Sequence, residues 1–441
     1  MYIPRDIDKT LNSWKNEKKH KPLLLRGVRQ CGKTSAVRHL SEQFDNYIEI
    51  NFEKHNELCG LFDGNFDIKT IIIRLELFFS SKITAGKTLL FIDEIQECPR
   101  AVTALRYFYE DMPELHVIAA GSLLEFVLNG KSTKKEIIDF PVGRVRSIFM
   151  YPFSFIEYLR GTKKDILADY LEQHGGKSTD NPAHEQLINE YKTFLVVGGM
   201  PEAVAEYIDS GSLFDCQQIH RDIITNFTDD FNKYSADVPA DIIRKIFDYA
   251  VHNVCGQTKS SSAIQGVSAY YFDTGIDLLR RAGLVYPVKA ASCDTIPLGS
   301  CEKETNKKLL FFDTGIYLTV CGLNTYELLS TDIFDEMNKG NVVEMQTGLE
   351  IIKYTNPYTE SSLHYWYRSG ANAEIDYAIV RENMVVPVEV KAAGKGSMQS
   401  MHSFLGTHPS SKYGIRVSLE NFNNYDSIRV YPVYAVSKFC T

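Results

Sequence analysis

The stretch Leu23–Thr34, LLLRGVRQCGKT, decides how the chain is read. Its second part, Gly27-Val28-Arg29-Gln30-Cys31-Gly32-Lys33-Thr34, satisfies G-x-x-x-x-G-K-[ST] at every fixed position. The apolar run Leu23–Leu25 predicts a buried parallel strand. The loop after it must wrap its backbone N–H groups around a polyphosphate, and Gly27 and Gly32 give the backbone freedom that a Cβ would deny. In such a loop the lysine, Lys33, reaches the β- and γ-phosphates, and the Thr34 hydroxyl is a Mg²⁺ ligand. A helix starting near Thr34, with Val37, Leu40 and Phe44 on one face, aims its positive end at the anion. Residues 27–34 are thus the candidate ATP-binding set, with Cys31 a small filler at a variable loop position.

The second decisive stretch is Thr88–Gln96, TLLFIDEIQ. Leu89–Ile92 reads as a buried parallel strand, and Asp93 and Glu94 follow at its carboxyl end, where open α/β sheets bind ligands. This is the Walker B pattern: Asp93 holds Mg²⁺ through its water shell, and Glu94 orients and polarises the attacking water. Between the two motifs, Tyr47–Phe52 is a predicted strand and Ile68–Phe79 a helix; a charged helix over residues 6–19 precedes them. Pro99 sits where helices begin, and Ala101–Tyr109 continues with apolar residues at helical spacing. His116–Ala120 is a further buried strand. It ends in Gly121-Ser122, where Ser122 can either contact the γ-phosphate or its water, or cap the helix that follows. Strand, acidic tip, helix, strand, polar tip is the doubly wound α/β plan.

At 441 residues the chain exceeds one ordinary core, so two or three domains are expected. Its 44% hydrophobic and 24% charged content are those of a globular protein, and a net charge of −8 excludes a general basic coat for nucleic acid. The nine cysteines form no C-x-x-C pair, so neither a disulfide framework nor a zinc site is predicted, and a reducing cytoplasm fits best. No apolar run has the length of a membrane span, and the N-terminus carries no apolar signal core.

GVRQCGKT, FIDEIQ, AAGSLLEF, Val142-Gly143-Arg144 and the segment YPFSFIE at 151–157 together resemble a large group of prokaryotic AAA-type ATPases. Members of that group carry a winged-helix segment and a C-terminal domain of unknown function with a restriction-endonuclease-like fold. The resemblance runs over nearly the whole chain. It implies an α/β P-loop NTPase (AAA-like) domain over 1–160, a helical middle with a winged helix over 161–330, and a restriction-endonuclease-like α/β domain over 331–441. Arg144, in the basic cluster GRVR, is a candidate arginine for stabilising the transferred phosphoryl group, in cis or across the interface of a homo-oligomer. Its alternative is a solvated basic turn.

The middle region carries Val196-Val-Gly-Gly-Met-Pro-Glu202, where Pro201 starts a helix, after a polar helical stretch with a loose insertion at 174–181. Asp241–Val254, a short helical piece Ala263–Gly266 and a Ser268-capped helix to Ala282 precede two strands, Leu284–Val288 and Leu309–Phe312. That order is a winged helix-turn-helix, over about 240–315. DNA is therefore a candidate partner, although the third helix carries two acids and keeps Arg280 and Arg281 at its end.

The last region has a helix, Gly340–Tyr354, with Glu344 and Glu350, then strands Leu363–Arg368, Glu374–Val380 and Val385–Ala392. Asp376 with Glu389-Val390-Lys391 spells D…E-x-K, the signature of restriction-endonuclease-like folds, in which the acids bind Mg²⁺ and the lysine steadies water. A turn at Glu382-Asn383 would set Asp376 opposite Glu389 and Glu374 opposite Lys391, all on one face. Asp376 and Glu389 are then metal-ligand candidates, and Glu344, Asp376, Glu389 and Lys391 the candidate nuclease set. The same register equally predicts an ordinary Glu374–Lys391 ion pair. The functional expectation is Mg²⁺-dependent ATP hydrolysis coupled to a nuclease-like domain; the alternative is an ATP-dependent switch or scaffold that cuts nothing.

Overall fold

Strand β1, Leu23–Arg26, lies between two parallel neighbours, and its first three residues are buried. The computed structural model describes residues 2–64, 66–121, 140–173, 180–231, 238–323, 339–368, 370, 373–391 and 398–440. These fall into two units. The first contains residues 2–152 with the short excursions 281–283 and 356–360; the second contains the remainder.

In the first unit β1, β2 (Asn46–Asn51), β3 (Thr88–Asp93), β4 (His116–Ala120) and β5 (Arg146–Phe149) form a parallel sheet in the order β2-β3-β4-β1-β5. Every residue of β3 and β4 is buried, as their unbroken apolar runs require of central strands covered on both faces. Helices α1 (Asp6–Lys15), α2 (Lys33–Ser41), α3 (Ile68–Phe79) and α4 (Pro99–Asp111) accompany the sheet. The core joins Leu24, Ile50, Leu90 and Ile92 of the sheet to Ile71 and Leu75 of α3 and Val102 and Leu105 of α4.

Two details differ from the sequence reading. α1 stops at Lys15, where Asn16 caps it, and does not reach residue 19. The GRVR cluster partly belongs to β5, an edge strand in which Ile148 alone is buried, and Arg146 makes a 2.6 Å ion pair with Glu17. Solvated arginines mask the strand signal there, because an edge strand needs only one apolar face.

The second unit begins with helices Phe155–Gly161, Asp165–Gln173, Asn181–Val197, Pro201–Ser210 and Leu213–Asp229, followed by Ala240–His252 and Ala269–Arg281. Residues 174–179 of the expected insertion lie outside the described residues. Ala263–Gly266 is a turn and not the expected short helix; four residues cannot offset the cost of nucleating one. The two strands after it are longer than expected: β6 is Val285–Ala291 and β7 is Glu302–Phe311.

β6 also pairs, in parallel, with β8 (Leu363–Tyr367). With β9 (Glu374–Arg381), β10 (Met384–Lys391), β11 (Gly414–Ser418), β12 (Asn423–Tyr425) and β13 (Ile428–Pro432), the order is β12-β13-β11-β10-β9-β8-β6-β7. The hairpin expected in the winged helix is thus continuous with the C-terminal sheet. Only the long-range β6–β8 pairing reveals this. The β9–β10 turn is the two-residue type predicted: Glu382 and Asn383 have φ of 51° and 59°, the pair of left-handed residues that matches strand twist. The register pairs Met384 with Arg381 and runs to Val388 with Tyr377.

Candidate functional site

The P-loop is built from backbone geometry that only its glycines permit. Gly27 has φ of 151°, and a Cβ there would stand 2.1 Å from the Met150 carbonyl oxygen. Gly32 has φ of 98° and begins α2 with no side-chain cap, which leaves the helix N-terminus open to an anion. Val28 and Cys31 are buried, the thiol 3.7 Å from Met150 O, so Cys31 fills space as expected. Arg29 is half-buried and Gln30 exposed, with φ of 64°. Lys33, only 8% exposed, donates 2.9 Å hydrogen bonds to the carbonyls of Gly27 and Val28, across the mouth of the loop.

A brace absent from the sequence reading is Arg5. Its guanidinium donates to Cys31 O at 3.1 Å and to Tyr151 O at 2.7 Å, tying the loop to the segment after β5. Its place immediately before α1 was its only signal.

The two nucleotide motifs meet. The Thr34 hydroxyl donates to Asp93 Oδ2 at 3.0 Å. Burial pushes the Asp93 carboxyl above its ordinary pKa, and the Thr34 hydrogen bond pulls the other way. A hydroxyl and a buried carboxylate side by side are hard oxygen donors, and a cation there would relieve the burial of the charge; the pair fits Mg²⁺. Glu94 has φ of 50° and ψ of 45°, a left-handed conformation that costs energy for a residue with a side chain. Gln96 Nε2 donates to Glu94 Oε2 at 2.6 Å, and Gly121 leaves room for Gln96: a Cβ at 121 would lie 2.1 Å from its Oε1. Gln96, two positions past Glu94, had no role in the sequence reading.

Arg144 lies on the chain before β5 in a half-exposed ion pair with Glu110, 2.8 Å apart. Ser122 lies outside the described residues.

In the second unit the candidate nuclease residues gather at one end of the β9–β10 hairpin, beside the helix Lys339–Lys353. The Glu374–Lys391 ion pair offered as the alternative does not form. Lys391 binds Glu389 Oε1 at 2.7 Å, two residues away on its own strand, and Asp376 Oδ2 accepts the Val390 N–H at 2.7 Å. Glu374 pairs with Lys308 of β7, which sequence reasoning missed. Lys308 Nζ also lies 2.9 Å from Glu344 Oε1 and 3.5 Å from Asp376 Oδ1, and its side chain is 2% exposed. Burial opposes its charge, but Glu344, Asp376 and Glu374 outweigh it and hold its pKa well above the ordinary lysine value. Burial pushes the Glu344 carboxyl up to about 8 and raises that of Glu389. A Mg²⁺ ion demands octahedral oxygen ligation. The expected ligands already hold an ammonium or a backbone N–H, so the donor set does not fit the ion the D…E-x-K spelling implies. Among the described residues no group of three or more His, Cys, Asp or Glu could hold a metal. The other helix-borne acid, Glu350, is structural: it accepts Gln346 Nε2 at 2.8 Å and the Phe155 N–H at 3.2 Å.

Residues 19–159 match an AAA domain; 188–327 and 339–436 match two domains of unknown function, DUF8612 and DUF4143. No curated protein matches the chain. Among solved structures it is similar to a Walker-type ATPase of Pyrococcus abyssi, at 14% identity over 73% of this chain and 96% of that one, with a TM-score of 0.45. It is also similar to the Orc1 protein of Aeropyrum pernix, solved in complex with DNA, at 13% identity over 74% and 91% with a TM-score of 0.28. The RuvB branch migration motor of Thermotoga maritima follows at 16% identity over 64% and 89%, with a TM-score of 0.29. The first unit's parallel sheet, β1 to β5, lies within the residues that match the AAA domain. No helix among the described residues is long and apolar enough to cross a membrane.

Proposed function

We propose that the first unit binds and hydrolyses ATP with Mg²⁺. The observation that carries this is the 3.0 Å hydrogen bond joining Thr34 to Asp93, which brings the two nucleotide motifs to one point at the P-loop. Residues 27–34 cradle the phosphates, Lys33 exchanging its two loop carbonyls for phosphate oxygens. Thr34 and Asp93 would hold Mg²⁺, which neutralises charge on the phosphates when bound. Glu94, held by Gln96, orients the water. Arg144 is a candidate for stabilising phosphoryl charge, in cis or from a second copy in a homo-oligomer, once released from Glu110. In this reading Ser122 stays a candidate contact to the γ-phosphate.

The second unit is the responder. A nucleotide-dependent switch or scaffold is favoured over a DNA-cutting effector by Lys308, which pairs with Glu344 and Asp376, two acids of the candidate nuclease set.

The test is ATP turnover of the purified chain with Mg²⁺, alone and with duplex or single-stranded DNA. The wild type is expected to turn over, and Lys33→Ala to lose at least tenfold in nucleotide affinity. Stimulation by one polymer identifies DNA as the coupled partner; indifference to both supports the switch. Equal turnover in wild type and Lys33→Ala would contradict the assignment.

A further inference from the structure

Lys308 reaches its place from a different strand than the D…E-x-K residues. It lies on β7, while Glu374 and Asp376 lie on β9 and Glu344 on the helix Lys339–Lys353. Three carboxylates from two elements converge on one ammonium that is 2% exposed. Their other contacts are also arranged. Gln257 Nε2 donates to Glu374 Oε2, Val390 N–H to Asp376 Oδ2, and the Tyr377 hydroxyl to the Glu344 carbonyl at 2.7 Å, pinning the helix to β9. The Tyr365 ring lies 5.3 Å from Nζ, a cation–π distance. Nζ thus faces three carboxyl groups and an electron-rich ring face.

We propose that Lys308 is a built-in cation: its Nζ occupies the position among Glu344, Glu374 and Asp376 that a divalent ion would need, so this cluster binds no metal and cuts no phosphodiester. Buried carboxylates require a positive partner, and here the chain supplies one covalently. An ammonium is a sufficient one because it donates up to three hydrogen bonds, matching three acids. A divalent ion would have to lie beside a positive charge that has no room to withdraw. Glu389 Oε2 is buried without a hydrogen-bond partner, yet a single oxygen is no coordination sphere, and Lys391 already holds Oε1. The inference stands apart from the ATPase reading, since it concerns only the second unit and is tested without nucleotide.

The experiment is Mn²⁺ titration of the full nucleotide-free chain, read by electron paramagnetic resonance of the free ion. The wild type is expected to show no saturable Mn²⁺ that disappears in Asp376→Asn or Glu389→Gln. Any Mn²⁺ it holds should disappear only in Asp93→Asn, which reports on the ATPase site. Lys308→Met, which keeps the length and removes the charge, is expected to gain about one equivalent of Mn²⁺. Saturable Mn²⁺ in the wild type that Asp376→Asn or Glu389→Gln removes would overturn the proposal, and that comparison holds even where Lys308→Met does not fold. A folded Lys308→Met chain that binds no additional Mn²⁺ would overturn it too.

Discussion

One added methyl at Gly27 would meet the Met150 carbonyl at 2.1 Å, in a backbone conformation that L side chains rarely adopt. Gly27→Ala is therefore expected to weaken binding of a non-hydrolysable ATP analogue at least tenfold and to destabilise the first unit by about 1–3 kcal/mol. Calorimetric titration and the thermal midpoint check both, and unchanged affinity would show that the loop can relax around a side chain. At this scale the sequence was most informative where chemistry is spelled locally. Thr34 and Asp93 are far apart in the chain; their motifs assigned both to Mg²⁺, and the structure sets their side chains 3.0 Å apart. Arg5, Gln96 and Lys308 were illegible for one reason: each matters through its partner, and no local spacing names that partner. Lys308 stood in the run Asn306-Lys307-Lys308, where the apolar return strand was expected to begin only at Leu309.

Elements divide along the same line. α3, β4 and the β9–β10 turn agree with their predicted positions, because periodicity, buried runs and turn chemistry are local signals. β5 and the β6–β8 pairing depend on distant neighbours and were not visible. One element-level contact has a pH consequence. His116 at the start of β4 stacks on His20 at 3.8 Å, with the Trp14 ring of α1 edge-on at 5.2 Å, and its Nε2 meets Lys15 O at 3.0 Å. Burial first, and His20 second, push the His116 imidazole down to about 4. A histidine depressed on folding stabilises the folded state above its ordinary pKa and loses that contribution as pH falls toward the folded value. The first unit should therefore lose roughly 2–3 kcal/mol between about pH 6.5 and pH 4 through this group. Denaturation of wild type and His116→Phe across that range checks it: the variant should show the shallower decline, and parallel curves would contradict the assignment.

At the scale of the whole molecule, a second unit follows the one that matches an AAA domain, and among the described residues its eight-stranded sheet draws strands from both sides of residue 330. The sheet's continuity across residue 330 was not visible in the sequence, because the β6–β8 pairing joins strands distant along the chain. Of the D…E-x-K acids, Asp376 lies by Lys308 together with Glu344 and Glu374, while Glu389 pairs with Lys391. What remains central is the nucleotide site, and Glu94→Gln addresses it most directly, since the substitution keeps size and hydrogen bonding while removing the base. ATP binding and Mg²⁺-dependent turnover should be measured on the same preparations of wild type and variant. The account predicts binding within a few-fold of wild type and turnover lower by roughly 10²–10⁴. Unchanged turnover in Glu94→Gln would contradict it.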